Sequence, residues 1–283
     1  MDNLVNMKTF TLVPIGGLGN RINAICSAIV YCQQHNRALK IYWFKDPTLN
    51  CPVGDLFSLD PRLQNVELID GNFWDYYKID KPRKRNLWIP QIYQKHAFDK
   101  RILDSDVFKV ISNHECVDFG DLTQFRHIYM VSYWRFWTDP NMWKIIRVNP
   151  MIQKKVNDFL SNNNLKRKIG IHIRRTDNVY SVEESPIELF ENVIVEELNK
   201  CENTFFYLAS DSVEVKKRLV NKFGNVINTN LEPAVRNSRD GIITAFTELN
   251  ILSKMDKIYA SSRSSFSELA HFLSNNIFKE LKI

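Results

Sequence analysis

The distribution of apolar and polar positions divides much of this 283-residue chain into strands and helices that alternate. In residues 9–44, a β-rich run is followed by a glycine turn, an apolar run at helical spacing and a second β-rich run. We therefore predict a strand at Thr9–Ile15, a helix after Gly19 and a strand at Leu39–Phe44. This order forms a βαβ unit. Residues 45–145 show no comparable pattern and are left without predicted elements.

The second half of the chain alternates more regularly. The predicted strands cover residues 168–173, 204–210, 225–230 and 256–262, and the predicted helices cover 185–200, 212–224, 241–255 and 264–275. Strands that alternate with helices indicate a parallel sheet with helices on both faces. The pattern predicts a helix that starts after Pro150 and is followed by a polar loop, which indicates a hinge between two domains. We accordingly expect two α/β domains, at 1–150 and 151–283.

Composition and charge narrow the function classes. Hydrophobic content of 44% and charged content of 25% are typical of a globular protein. The net charge of +6 suits an anionic ligand such as a nucleotide or an acidic glycan, and it does not require nucleic acid as a partner. We expect no nucleic-acid binding.

Cysteine spacing and the apolar runs predict a cytoplasmic protein. The five cysteines form no C-x-x-C pair, and Cys26 and Cys32 lie in an apolar helical pattern, which favours buried thiols over disulfides. The first residues lack the pattern of a secretory signal. The longest apolar stretch, residues 22–32, is too short to span a bilayer.

Polar side chains follow three predicted strands of the second half. The clusters are His172, Arg174, Arg175, Thr176 and Asp177; Ser210 and Asp211; and Ser261, Ser262, Arg263, Ser264 and Ser265. Because parallel strands end at one edge of a sheet, these clusters should lie close together, where such sheets bind ligands.

The arginine pair indicates an anion site. Alternation along the strand places His172 and Arg174 on one side and Arg175 on the other. Arginine suits phosphate because its planar, permanently charged fork donates paired hydrogen bonds. One arginine is predicted to face an anionic ligand and the other to anchor the loop through Asp177. A surface salt bridge is the alternative.

The serine segment and one glutamate extend this site. Ser265 and Glu268 have the spacing of a capping box, which predicts a helix start near Ser265 and an N-terminus that favours anions. A capped helix without a ligand is the alternative. Glu248 lies at the edge of an apolar helical stripe, as either a surface residue or a buried acceptor for the N1–H and N2–H₂ donors of guanine.

Other motifs are rejected. Gly17 and Gly19 lack the third glycine of a dinucleotide fingerprint, since Ile22 stands there. Asp104 and Asp106 form a D-x-D pair in a charged, helical-looking stretch. The six histidines show no metal-ligand spacing. We therefore predict no metal site.

Taken together, the motifs resemble those of a known superfamily. "HIRRTD" at 172–177, "YLASD" at 207–211 and "SSRSSFSE" at 261–268 resemble the three C-terminal motifs of the GDP-fucose-dependent fucosyltransferases. That superfamily includes α1,6 and α1,2 enzymes and the protein O-fucosyltransferases. "GGLGNRINAI" at 16–25 resembles the glycine turn of their N-terminal domain, and the α1,6 branch is the most similar. The stretch between residues 22 and 168 is not matched.

The resemblance implies two facing Rossmann-like domains of the GT-B fold, with the acceptor bound by 1–150 and GDP-sugar by 151–283. It implies that Arg174 stabilises the leaving GDP with support from Arg175, that Glu183 or Glu184 is the base, and that no metal cofactor is needed. The implied donor-binding residues are His172, Asp177, Ser210, Asp211, Glu248, Ser262, Arg263, Ser264 and Ser265, with Gly17, Gly19, Asn20 and Arg21 from the first domain.

The implied reaction is an inverting transfer of L-fucose from GDP-β-L-fucose to an oligosaccharide or glycolipid hydroxyl, in α1,6 or α1,2 linkage. The chain departs from the α1,6 enzymes at three positions. Those enzymes have a lysine where this chain has Asn178 and an aspartate where it has Glu248. Their glutamate base falls at Val182, one residue before Glu183. Another GT-B enzyme with a different nucleotide sugar, and a non-catalytic GDP- or glycan-binding protein, remain as alternatives.

Two features of the first half have open interpretations. All six tryptophans lie there, and they either stack on acceptor sugars or pack in the core. The basic run at residues 81–85 either meets an anionic glycan or a membrane surface, or is a solvated charge run.

Overall fold

The chain folds into two compact units, Met1–Val148 and Asn149–Ile283. The computed structural model describes residues 7–111, 121–162, 167–176, 179–231, 235–274 and 276–283. No helix in these ranges is long and apolar enough to cross a membrane.

The first unit is built on a five-stranded parallel sheet with the order β4-β2-β1-β6-β5. Two short strands, β3 and β7, pair separately in antiparallel fashion. The elements are β1 Thr9–Pro14, α1 Leu18–Gln34, β2 Ala38–Trp43, β3 Phe57–Leu59, β4 Val66–Asp70, α2 Phe73–Lys78, α3 Ile89–Ala97, β5 Lys100–Ile102, α4 Asp104–Ile111, β6 His127–Ser132 and β7 Ile146–Val148. The predicted βαβ opening is confirmed. Cys26 and Cys32 are free thiols buried in α1, as predicted.

The second unit is also built on a five-stranded parallel sheet, with the order β10-β9-β8-β11-β12. The elements are α5 Pro150–Asn162, β8 Arg167–Ile173, α6 Val179–Glu184, α7 Ile187–Lys200, β9 Thr204–Ser210, α8 Val213–Phe223, β10 Ile227–Asn228, α9 Arg239–Leu252, β11 Lys257–Ser261, α10 Ser265–Phe272 and β12 Ile277–Leu281. Each strand and helix predicted in this half is confirmed, whereas α6 and β12 were not predicted. The strand order reverses between β8 and β11, so the carboxyl ends of these two strands form the switch point where ligands bind in such sheets.

The two faces of β8 pack against different helices. Ile171 and Ile173 belong to a buried cluster with Phe190 of α7. Gly170 lies where a Cβ atom would come within 2.9 Å of Leu252 Cδ2 on α9, so any larger residue there would displace the leucine side chain. The glycine therefore lets α9, which also carries Glu248, pack directly on the strand that ends in the arginine pair.

Candidate functional site

The loop after β8 gives its two arginines different surroundings. The half-buried Arg174 donates its backbone N–H to Ser261 Oγ at the end of β11, at 3.1 Å. The guanidinium of Arg175 donates to the carbonyl oxygens of Arg174 at 3.0 Å and Ser185 at 2.8 Å. Arg175 therefore fixes the loop through main-chain carbonyls. Asp177, the partner expected from the sequence, lies outside the described residues, as does Asn178.

Ser210 and Asp211 bind the same loop. Asp211 accepts hydrogen bonds from the backbone N–H of Arg175 at 2.7 Å and from the hydroxyl of Thr176 at 2.7 Å. The buried Ser210 donates its hydroxyl to the carbonyl of Ile173 at 2.7 Å. In the structure, these two side chains hold the strand end in place.

His172 lies near the end of β8, and its side chain faces α10. Its ring is buried and stacks on Phe266, with the ring centroids 4.9 Å apart. Its Nδ1 lies 3.3 Å from Ser264 Oγ. The imidazole thus connects the strand end to the first residues of α10.

Burial and positive charge keep His172 neutral. Desolvation lowers the pKa of His172 from 6.5 to about 3, against the opposing effect of Asp211. Three further cations lower the pKa in the same direction, namely Arg174, Arg236 and Lys216. The switch point therefore combines these three cations with the carboxylate of Asp211, which Arg236 approaches to 3.7 Å.

We expect the buried imidazole to make the fold sensitive to acid. The folded-state pKa of His172 lies below the unfolded value. The contribution of its neutral imidazole to the unfolding free energy is therefore complete above about pH 6.5, and it is lost at about 1.4 kcal/mol per pH unit as the pH falls. Between about pH 7 and pH 5, the unfolding free energy of the parent should therefore fall by about 2 kcal/mol more than that of His172→Asn.

Urea unfolding at both pH values measures this difference, with the exposed His96→Asn as control. Equal pH dependence in His172→Asn and the parent would contradict it.

The serine segment begins α10 in a way that differs from the prediction. The helix starts at Ser265 as expected, but the N-cap residue is Ser264, whose side chain makes no capping bond. The predicted capping box of Ser265 and Glu268 is therefore wrong, since Glu268 lies one position too far along. Ser264 Oγ faces His172 instead. The first-turn N–H groups of a helix lack intrahelical acceptors, so this end of α10 favours an anion.

Arg263 and Glu184 pair with each other. Arg263 has a left-handed backbone (φ 56°), and its Nη2 lies 2.6 Å from Glu184 Oε1, with the guanidinium over the Tyr180 ring at 4.9 Å. Ser262 Oγ donates to Glu184 Oε2 at 2.7 Å. The Ser262 hydroxyl and then Arg263 hold the pKa of Glu184 below its usual range. Glu183 is exposed on α6.

Glu248 is a buried acceptor, not a surface residue. Its Oε1 accepts a hydrogen bond from Lys216 Nζ at 3.0 Å, and the same ammonium donates to the carbonyl of Asn230 at 2.7 Å. Both side chains are almost fully buried. Burial raises the pKa of Glu248 to about 7, against the opposing effect of Lys216.

Two cations near the site, Lys216 and Arg236, were not predicted from the sequence. Lys216 stands three positions before Leu219 on the buried side of α8, and a lysine on an apolar helical stripe was the signal that could have revealed it. Arg236, whose guanidinium lies 3.7 Å from Asp211, sits in an irregular segment that offers no periodicity.

The glycine turn of the first unit is held by Arg21. Gly17 is the N-cap residue of α1, and Gly19 and Asn20 lie in its first turn. The buried guanidinium of Arg21 donates to the carbonyls of Gly16 at 2.9 Å and Phe44 at 2.6 Å and to Asp46 at 2.8 Å. Burial lowers the pKa of Arg21 to about 10. Its donors thus fasten the turn to the segment that follows β2.

Metal ligands are not grouped in the described part of the chain, where no three His, Cys, Asp or Glu side chains lie close enough to hold an ion. Asp104 pairs with Lys81 at 2.5 Å, and Asp106 accepts from the backbone N–H of Leu103 at 3.0 Å. The D-x-D pair is therefore part of the start of α4.

Comparison with known proteins gives a fold. No protein-family model matches the chain, and no curated protein sequence matches it. Among solved structures, fucosyltransferase NodZ from Bradyrhizobium superposes with a TM-score of 0.64 at 12% identity, over 94% of this chain and 93% of that one. The chain has the fold of the fucosyltransferases.

Two further structures share this fold. POFUT1 in complex with GDP-fucose superposes with a TM-score of 0.56 at 10% identity, over 98% of each chain. A mutant of Arabidopsis thaliana FUT1 in complex with GDP superposes with a TM-score of 0.59 at 14% identity, over 97% of this chain and 70% of that one. At these identities, the likeness establishes the architecture.

Proposed function

We propose that this fucosyltransferase-like chain is an enzyme that transfers L-fucose from GDP-β-L-fucose to a hydroxyl of an oligosaccharide or glycolipid. In this proposal, its two units are Rossmann-like domains in a GT-B arrangement. The observation that carries it is the meeting of Arg174, Ser261 and Ser264 at the switch point of the second sheet. NodZ, which shares the fold, was co-crystallized with GDP and soaked with GDP-fucose, which supports the choice of donor.

The reaction proposed is a single displacement. The acceptor oxygen forms a bond to the anomeric carbon while the bond from that carbon to the β-phosphate oxygen breaks, which inverts β-fucose to an α-fucoside. Negative charge grows on the diphosphate, and the Arg174 guanidinium with the first-turn N–H groups of α10 would stabilise it. Because fixed cations and dipoles do this work, we propose that transfer needs no metal and proceeds in the presence of EDTA.

Of the two candidate bases, we propose Glu183. Glu184 accepts from Ser262 and Arg263, and a carboxylate whose pKa is lowered is a weaker base. Glu183 is exposed one position earlier on α6 and forms no ion pair among the described residues. The proton of the attacking hydroxyl would pass to its carboxylate.

Guanine recognition would involve Glu248. Its carboxylate is buried and partly neutralised by Lys216, and guanine offers two adjacent N–H donors to such an acceptor. Uracil lacks that donor pair. We therefore propose that the donor nucleotide is GDP, and not UDP.

A transfer screen tests the proposal. GDP-fucose, GDP-mannose and UDP-glucose are each incubated with a glycan array, and products are detected by mass. We expect a deoxyhexose gain from GDP-fucose alone, its loss in Glu183→Gln with GDP binding retained, and tighter calorimetric binding of GDP than of UDP. Transfer from another donor would contradict the choice of fucose. GDP-fucose binding without transfer or hydrolysis would identify a binding protein instead.

A further inference from the structure

The turn before α3 in the first unit holds two bulky residues in the left-handed region. Leu87 has φ 52° and Trp88 has φ 59°. Large side chains rarely adopt this conformation, and it persists only where the surroundings force it. The two side chains are 73% and 55% exposed, so burial in the fold does not compensate for the strained backbone.

A buried polar network holds the segments on either side of this turn. The carboxamide of Asn86 is buried and accepts the backbone N–H of Arg83 at 2.8 Å. Arg83 pairs with the buried Asp80. The buried Gln94 of α3 donates to the carbonyls of Ile79 at 3.1 Å and Asp80 at 3.0 Å. The turn is therefore fixed from beneath while Leu87 and Trp88 point outward.

The exposed surface continues along α3. Ile89, Ile92 and Tyr93 are exposed and share one helical face, since they are three and four positions apart. We call Leu87, Trp88, Ile89, Ile92 and Tyr93 the apolar face. Contiguous apolar surface of this kind marks a contact site.

Positive charge borders the apolar face. Lys84, Arg85 and Lys95 are exposed, and none of them forms an ion pair within the described residues. Residues 81–98 contain no Asp or Glu. The occupant of this surface must therefore combine negative charge with an apolar layer beneath it. A second copy of the chain would bring like charges together across a twofold interface, which opposes self-association.

We propose that residues 84–95 dock the protein on an anionic lipid bilayer. The apolar face would enter the boundary between head groups and acyl chains, where tryptophan and tyrosine are favoured, and the three cations would contact anionic head groups. The bilayer surface supplies both properties that this segment requires. The contact is peripheral, and it does not depend on the function proposed above.

Vesicle cosedimentation tests the proposal with the intact chain. Vesicles of phosphatidylcholine alone are compared with vesicles of phosphatidylcholine and phosphatidylglycerol in equal amounts. We expect binding to the anionic vesicles, weakened by salt. Lys84→Gln with Arg85→Gln should weaken it about 30-fold, since each cation near the surface contributes about one kcal/mol.

A second variant separates apolar contact from charge. Leu87→Asn with Trp88→Asn should weaken binding at least about tenfold, because the apolar contact is lost. Asparagine tolerates the left-handed conformation, so we expect the thermal unfolding midpoint to be kept or raised. Met151→Ser removes an equally exposed apolar side chain elsewhere, and Lys217→Gln with Lys254→Gln removes two exposed cations; both controls should bind as the parent does.

Three outcomes would overturn the proposal. They are absence of binding to anionic vesicles by the parent, unchanged binding by the Leu87 and Trp88 variant, and equal weakening in the controls. Concentration-dependent self-association in sedimentation velocity that this variant abolishes would assign the face to a second copy instead.

Discussion

Arg174→Ala should lower the rate of transfer from GDP-fucose by about 10²–10³-fold, the usual effect of removing one fixed donor from a developing oxyanion. We expect the variant to fold, because the substitution keeps the backbone N–H bond of residue 174 to Ser261. Arg174→Lys should be intermediate, since lysine retains the charge but lacks the planar fork. Steady-state kinetics with calorimetry of GDP binding measure both effects.

A matched arginine controls for the loss of charge. Arg62 is highly exposed and pairs with Asp60, two positions away, so Arg62→Ala should transfer fucose at the parental rate. Parental turnover in Arg174→Ala, or an equal loss in Arg62→Ala, would remove Arg174 from the mechanism.

Lys216→Met should lower the unfolding free energy by about 3–5 kcal/mol, because it leaves the Glu248 carboxylate buried without its partner. The folded-state pKa of Glu248, already raised to about 7, should rise further, so the carboxyl is protonated in acid and the penalty is partly relieved there. The loss should therefore be larger at about pH 8 than at about pH 6. Urea unfolding at the two pH values measures it.

Two variants make the result specific to the pair. Lys217 is exposed at the next position of α8, so Lys217→Met should change the unfolding free energy by less than about 0.5 kcal/mol. Adding Glu248→Leu to Lys216→Met removes both charges and should recover much of the loss. Equal stability of Lys216→Met and Lys217→Met would mean that the pair does not hold α8 to α9.

The position of the site was accessible from the sequence because it depends on local patterns. Short apolar and aromatic runs, bounded by turns, located β8, β9 and β11, and polar clusters followed each of them. Parallel strands end at one edge, so the convergence of these clusters followed without coordinates. The first half after β2 resisted prediction, because most of its strands and helices are short and its aromatic side chains carry no clear period.

The partners of the polar side chains were not accessible in the same way. The sequence placed Arg263 and Glu184 in separate roles, yet they pair with each other, and Glu248 was considered without Lys216. The members of these pairs lie 79 and 32 positions apart.

By itself, the sequence determined the alternation of elements, the edge of the sheet that carries the chemistry and the start of α10, since backbone conformation and periodicity are set by near neighbours. Only the tertiary structure decided which donors remain for a ligand and which are used within the protein. A hydrogen bond requires two groups within about 3 Å, and for groups distant in sequence the packing of helices on the sheet sets that separation.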